Sequence, residues 1–274
     1  MATPTITGSP PSPPPRPQLS GLWRALSLPM LVFLSLPLMA LFLRIAPARL
    51  IANFGDPYVL QAIGLSLATT VVTTLIIILG GTPVAYSLAR RQYRFRRAID
   101  TLIDLPTVLP PAVAGVALLM AFGRRGILGG LLDDLGIHIA FTPIAVVLAQ
   151  VFIAAPFYIK SATVGFTSID TELEQAASLD GASSSQVFRY VTIPLSWSAL
   201  LGGSVMSWAR ALGEFGATII FAGNFPGRTQ TMPLAIYIGF ELDLEVALTL
   251  SVILILFSFI ALIIAKGILH RDWI

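Results

Sequence analysis

Six apolar stretches, at residues 27–46, 60–89, 101–122, 142–164, 195–222 and 242–266, govern what this chain can become. Each is long enough to cross about 30 Å of hydrocarbon as a helix. A helix satisfies its own backbone hydrogen bonds inside a bilayer, so repeated spans of this length predict an all-α integral membrane protein with six transmembrane helices. Charge content agrees: 11% of the residues are charged, whereas soluble domains carry about 25%. The second and fifth stretches exceed the minimum and imply tilt or kinks. The absence of cysteine removes disulfides, thiolate metal sites and cysteine nucleophiles. His138 and His270 are too few and too far apart for a metal site or a histidine-dependent triad. No G-x-x-x-x-G-K-[ST] stretch occurs, so the chain has no P-loop of its own. A net charge of +3 does not point to nucleic acid, because the basic residues lie between apolar segments and form no continuous face.

Those basic residues set the orientation. With the N-terminus inside, the inner segments hold Arg16, Arg24, Arg90, Arg91, Arg94, Arg96, Arg97, Lys160, Arg189, Lys266 and Arg271, against Arg44, Arg49, Arg124, Arg125 and Arg228 outside. The run "ARRQYRFRR" after the second stretch is the strongest vote, and both termini are expected in the cytoplasm, with the chain in the inner (plasma) membrane. Residues 1–20, with "SPPSPPPRPQ", read as a disordered Pro-rich cytoplasmic tail. Residues 21–54 read as a first helix and outer loop, 55–268 as the main membrane domain, and 269–274 as a cytoplasmic tail. "APA" after the first stretch would suit signal cleavage, but the long tail before it and five further spans favour an uncleaved anchor.

One inner segment differs from its neighbours: "SIDTELEQAASLDGASSSQVFRYVTIPLS". Thr171-x-x-Glu174 has the form of a capping box, and Gly181 can end that helix in the left-handed conformation. Ser183-x-x-Gln186 can start a second short helix, and Pro194 suits the first turn of the following span. Two short helices meeting at a glycine, with a small apolar surface from Ala176, Ala177 and Leu179, form an element for docking rather than a plain connection.

This segment resembles the EAA motif of ABC-importer permeases, which runs E-A-A, three residues, G, nine residues, I-x-L-P. Here Gln175-Ala176-Ala177 precede Leu179, Asp180 and Gly181, and Val191-Thr192-Ile193-Pro194 follows at the matching distance. The acid stands one place early, at Glu174, where helix capping alone would account for it, and Val-x-Ile-Pro replaces Ile-x-Leu-Pro. The resemblance widens in "GRRGILGGLLDDLGIHIAFTPIAVVLAQVFIAAPF" and "ARALGEFGATIIFAGNFPGRTQTMPLAIY", which look like the molybdate-type permease subunit. Sulfate permeases share the general form of the second stretch up to "AGN(F/I)P"; "GRTQTMPLAIY" favours molybdate over the sulfate alternative. The resemblance implies the type I importer architecture with a cytoplasmic coupling helix. It further implies a homodimer, two ATP-binding-cassette subunits that hold ATP and Mg, and an extracytoplasmic molybdate-binding protein. No cofactor or metal is expected on this chain, which would be no enzyme by itself.

A tetrahedral dianion needs a wet or donor-lined path, because its transfer bare into a low-dielectric medium costs tens of kcal/mol. Pro106, Pro110 and Pro111 interrupt helical bonding early in the third stretch, and Gly115, Gly213, Gly216, Ala217 and Thr218 allow close approach or a narrow polar wall. Pore lining and ordinary helix packing both fit these residues. Arg210 and Glu214, four apart in the fifth stretch, share a helix face. A structural pair, a gate at the subunit interface, and an anion contact through Arg210 all remain open at this level. An ion-coupled secondary transporter would need intramembrane acids or an inverted repeat; Glu214 is the one candidate acid, and no repeat is evident. For a membrane-embedded enzyme the chain lacks Cys and paired His, and its acidic residues form no obvious pair within the spans.

Overall fold

The computed structural model describes residues 21–91 and 94–271. The expected Pro-rich tail at 1–20 and the final residues 272–274 lie outside them. In chain order the helices are α1 (Gly21–Arg44), α2 (Pro47–Phe54), α3 (Pro57–Arg90), α4 (Arg96–Val108), α5 (Pro111–Phe122), α6 (Gly129–Asp134) and α7 (Pro143–Thr167). They continue with α8 (Thr171–Leu179), α9 (Ser184–Val187), a π-helical turn (Phe188–Thr192), α10 (Ile193–Leu195), α11 (Trp197–Leu212), α12 (Gly216–Phe221), α13 (Met232–Leu242) and α14 (Leu244–Arg271). No strand occurs among the described residues.

The all-α expectation holds, and the spans differ from it in an instructive way. Among the described residues four helices are long and apolar enough to cross a membrane: α1, α3, α7 and α14. The expected third stretch is α4 and α5, bent by 117° where Pro110 and Pro111 interrupt the ladder, and makes a fifth if the pair counts as one span. The fifth stretch, 195–222, is broken: α11 ends at Leu212 and α12 begins at Gly216. Apolar length alone does not report such breaks, because the links are only a few residues long: Leu109 and Pro110 at the first, Gly213, Glu214 and Phe215 at the second.

The chain divides into two units, residues up to Arg44 and residues from Ile45 onward. The first contributes α1, an apolar helix with Pro29 and Pro37 inside it. The second unit takes in α2, which is tied to α14: Arg49 pairs with Glu245 at 2.6 Å and Asn53 Nδ2 donates to Thr249 Oγ1 at 3.0 Å.

Within the second unit, α3, α7 and α11 form the central stack. Ile77, Leu88, Tyr158, Phe166 and Leu200 are buried in one cluster there. A second cluster joins α3 to α13 and α14 through Val59, Met232 and Leu250, and a third joins α5, α7 and α12 through Ala114, Ala149 and Phe221. Small residues let the backbones come close, as membrane helix packing requires. Polar groups buried between α3 and α7 satisfy one another: Thr73 Oγ1 donates to Gln150 Oε1 at 2.9 Å, and Gln150 Nε2 donates to Thr69 Oγ1 at 3.3 Å. Asp56 caps α3 by accepting from the Tyr58 N–H at 2.8 Å, with Pro57 in the first turn where its missing donor is harmless.

Candidate coupling and translocation site

The short helices at 171–187 form as their sequence grammar suggests, with one substitution of role. Asp170, not Thr171, is the N-cap of α8, accepting from the Glu172 N–H at 3.0 Å. That moves Glu174 past the capping position, and the expected Thr171–Glu174 box does not form. The far end follows the expectation closely. Gly181 has φ +91, the Gly181 N–H reaches Ser178 O at 3.1 Å, and the Ala182 N–H reaches Ala177 O at 3.1 Å. This is a Schellman stop, which satisfies carbonyls left over at the helix end. Ser183 and Gln186 close a reciprocal capping box at the start of α9.

Beyond α9 the ladder widens: the Ile193 N–H bonds back to Phe188 O, five residues away. Pro194 explains the need, since it supplies no N–H for the ordinary bond to residue 190. Pro194 therefore sits in α10, ahead of the span that starts at Trp197, and not in that span's first turn.

The outer side of α8 is unfilled. Leu179 is 89% exposed. Gln175, Ala176, Asp180, Gly181 and Pro194 are also exposed, while Ala177, Val191 and Ile193 are half-buried. A groove of about 570 Å³ runs along α8 past Tyr86, Gln175, Leu179 and Val187. A notch of about 440 Å³ lies on its other side, between Ala177, Gly181 and Tyr190. A projecting leucine between two concave strips is a surface shaped for a partner.

Glu174 faces inward instead. Its Oε1 accepts from Arg90 Nη2 at 2.9 Å and from Thr192 Oγ1 at 2.7 Å. Arg90 also donates through Nη1 to Ile169 O at 3.3 Å. The two charged side chains are only 13% and 14% exposed. Neither Arg90 nor Thr192 stands out as a partner of Glu174 in the sequence, because 84 and 18 residues separate them from it.

The candidate path residues assemble where α5 meets α12. Gly115 lies so close to α12 that a Cβ there would stand 2.8 Å from Ala217 O, and one at Gly216 would stand 2.6 Å from Pro111 Cβ. Pro110 and Pro111 are exposed at the bend before α5. Arg210 and Glu214 pair at 3.0 Å, and Glu214 Oε1 accepts from the Ala217 N–H at 2.8 Å. Glu214 thus serves the break, neutralising Arg210 and satisfying a free N–H at the start of α12. Gly213 is the outlier, exposed and with no neighbour pressed against it, so close packing does not require glycine there. Thr218 is buried with its hydroxyl unpartnered among the described residues, and in this arrangement it lines no open wall.

A third charged cluster escaped the sequence reading. Lys160 of α7 donates to Asp100 Oδ1 at 2.6 Å and to Asp104 Oδ2 at 2.8 Å, both on α4. The i,i+4 spacing of the two aspartates was the available signal. Here the lysine is committed to carboxylates. Among the described residues no group of three or more His, Cys, Asp or Glu is arranged to hold a metal ion.

Residues 81–271 match the model of the family described as binding-protein-dependent transport system inner membrane component. The molybdenum transport system permease protein ModB of Mycobacterium tuberculosis is 41% identical over 225 residues, 82% of this chain and 85% of that protein. The molybdate/tungstate transport system permease protein WtpB of Thermococcus kodakarensis is 31% identical over 91% of this chain and 96% of its own length. The sulfate transport system permease protein CysW of Synechococcus elongatus is 39% identical, over 67% of this chain and 64% of its own. Among solved structures, a bacterial ABC transporter involved in the import of the acidic polysaccharide alginate matches with TM-score 0.72 and 16% identity, over 91% of this chain and 95% of that one. At that identity the likeness shows the fold.

Proposed function

This chain belongs to the binding-protein-dependent transport system inner membrane components, and from that premise we propose that it is the membrane permease of an importer for molybdate and tungstate. The substrate rests on the relatives: two that match over most of this chain are named molybdenum and molybdate/tungstate permeases, whereas the sulfate permease matches over 67% of it. As proposed, two copies form the path, two separate ATP-binding subunits supply ATP and Mg, and an extracytoplasmic protein delivers the oxyanion. The Arg-rich end of α3 and both termini face the cytoplasm. The chain itself hydrolyses nothing; it converts partner closure into opening of one side or the other.

The observation that carries the coupling role is α8 with its Schellman stop at Gly181 and Leu179 projecting between two concave strips. Gly181→Val combines bulk with a backbone conformation that β-branched residues resist. Gly181→Asn adds bulk where the conformation is tolerated. We expect both to insert in the membrane, and both to lose uptake and the copurifying ATP-binding subunit. Normal uptake by both variants removes the coupling assignment.

For the substrate, the measurement is labelled molybdate uptake at submicromolar concentration in cells with and without the chain, with excess tungstate or sulfate as competitor. Chain-dependent uptake that yields to tungstate and resists sulfate is expected. Chain-dependent sulfate transport in its place would keep the architecture and change the substrate.

A further inference from the structure

We propose that Arg90, Glu174 and Thr192 form the clamp through which α8 drives the membrane helices, a positioning site distinct from the docking surface. The inference rests on the coupling role proposed for α8 and adds the route by which its movement leaves it. Most of α8 faces outward. Among the described residues, the side-chain hydrogen bonds that leave α8 for other elements all run through Glu174.

One carboxylate oxygen gathers them. Arg90 is the last residue of α3, a helix about 51 Å long at 1.5 Å per residue. Thr192 ends the π-helical turn that leads through α10 to α11. Arg90 also holds Ile169 O in the link between α7 and α8. A displacement of Glu174 is therefore applied at once to α3, to the α7–α8 link and to the lead-in of α11. These are the three helices of the central stack.

Three details suit transmission of a displacement more than simple anchorage. The pair is shielded from water, so its attraction is screened less than that of a surface pair. Arg90 Nε is buried without a partner among the described residues, which leaves the guanidinium a bond to make in a second arrangement of α8. The π-helical turn is also a place where the ladder can change register without breaking.

The test uses the full complex, chain plus ATP-binding subunits and binding protein, in proteoliposomes, and reads molybdate accumulated per ATP hydrolysed. Arg90→Gln and Glu174→Gln remove one charge each while keeping polar atoms, and Thr192→Val removes only the hydroxyl. In the two charge variants that ratio is expected to fall about tenfold, the scale of one charge-assisted hydrogen bond. The ATP-binding subunit should still copurify. In Thr192→Val the ratio should fall about threefold, the scale of a neutral hydrogen bond. The reversed pair Arg90→Glu with Glu174→Arg should recover part of the loss. An unchanged ratio in an assembled Thr192→Val and Glu174→Gln overturns the clamp. So does loss of the ATP-binding subunit from Glu174→Gln, which would place the acid in docking. If instead the Gly181 variants keep both uptake and the ATP-binding subunit, the coupling role itself is what has failed.

Discussion

Two of the arginine–glutamate pairs among the described residues, Arg210–Glu214 and Arg90–Glu174, solve different problems. Arg210 and Glu214 are four residues apart at a helix break, with exposures of 31% and 1%. Their bond is local, and its work is to let a chain interrupt itself between α11 and α12 without leaving a charge or an N–H unmatched. Arg90 and Glu174 are 84 residues apart and nearly equally shielded. Their bond joins the end of α3 to α8. A local pair stabilises a shape, whereas a distant pair can transmit a displacement.

The contrast is quantitative. Arg210→Ala leaves the Glu214 carboxylate, 1% exposed, without a counter-charge, and should cost about 3–5 kcal/mol, seen as a large drop in melting temperature in detergent. Glu214→Gln keeps an amide oxygen for the Ala217 N–H and should cost less, about 1–2 kcal/mol on the same measurement. An equal or larger loss in Glu214→Gln would show that charge, and not the cap, is what the break needs. For the distant pair, a double-mutant cycle on Arg90 and Glu174 should give a coupling of about 1.5–3 kcal/mol. A value near zero would make that pair incidental. Arg49 and Glu245, 63% and 50% exposed at 2.6 Å, set the lower end: removing Arg49 should cost under about 1 kcal/mol, shrinking further at high salt.

The same contrast explains what could be read in the sequence. Gly181, the Ser183–Gln186 box and the Arg210–Glu214 pair are short-range patterns, and the structure forms each of them. The apolar lengths identified a helical membrane protein but hid the 117° bend before α5 and the break after Leu212. Pro110 and Pro111 marked the first of these; nothing as plain marks the second. The fork of Asp100 and Asp104 on Lys160 and the grip of Arg90 on Glu174 depend on which helices become neighbours. Such pairings belong to tertiary packing, to which a single sequence gives no direct access. Glu174 stands one place early in the motif, where capping would account for it, but Asp170 fills the capping role.

That displacement bears on which surfaces can meet α8. One place along an α-helix is a rotation of about 100°, enough to carry a carboxylate from the outward side of α8, where Gln175 stands, to the side that meets Arg90. The surface offered beneath α8 is thus neutral at that point. A partner surface that presents a cation at that point would meet an amide in place of a carboxylate. Such a contact would begin with a desolvated, unmatched charge, so a single helical step changes which surfaces α8 can accept.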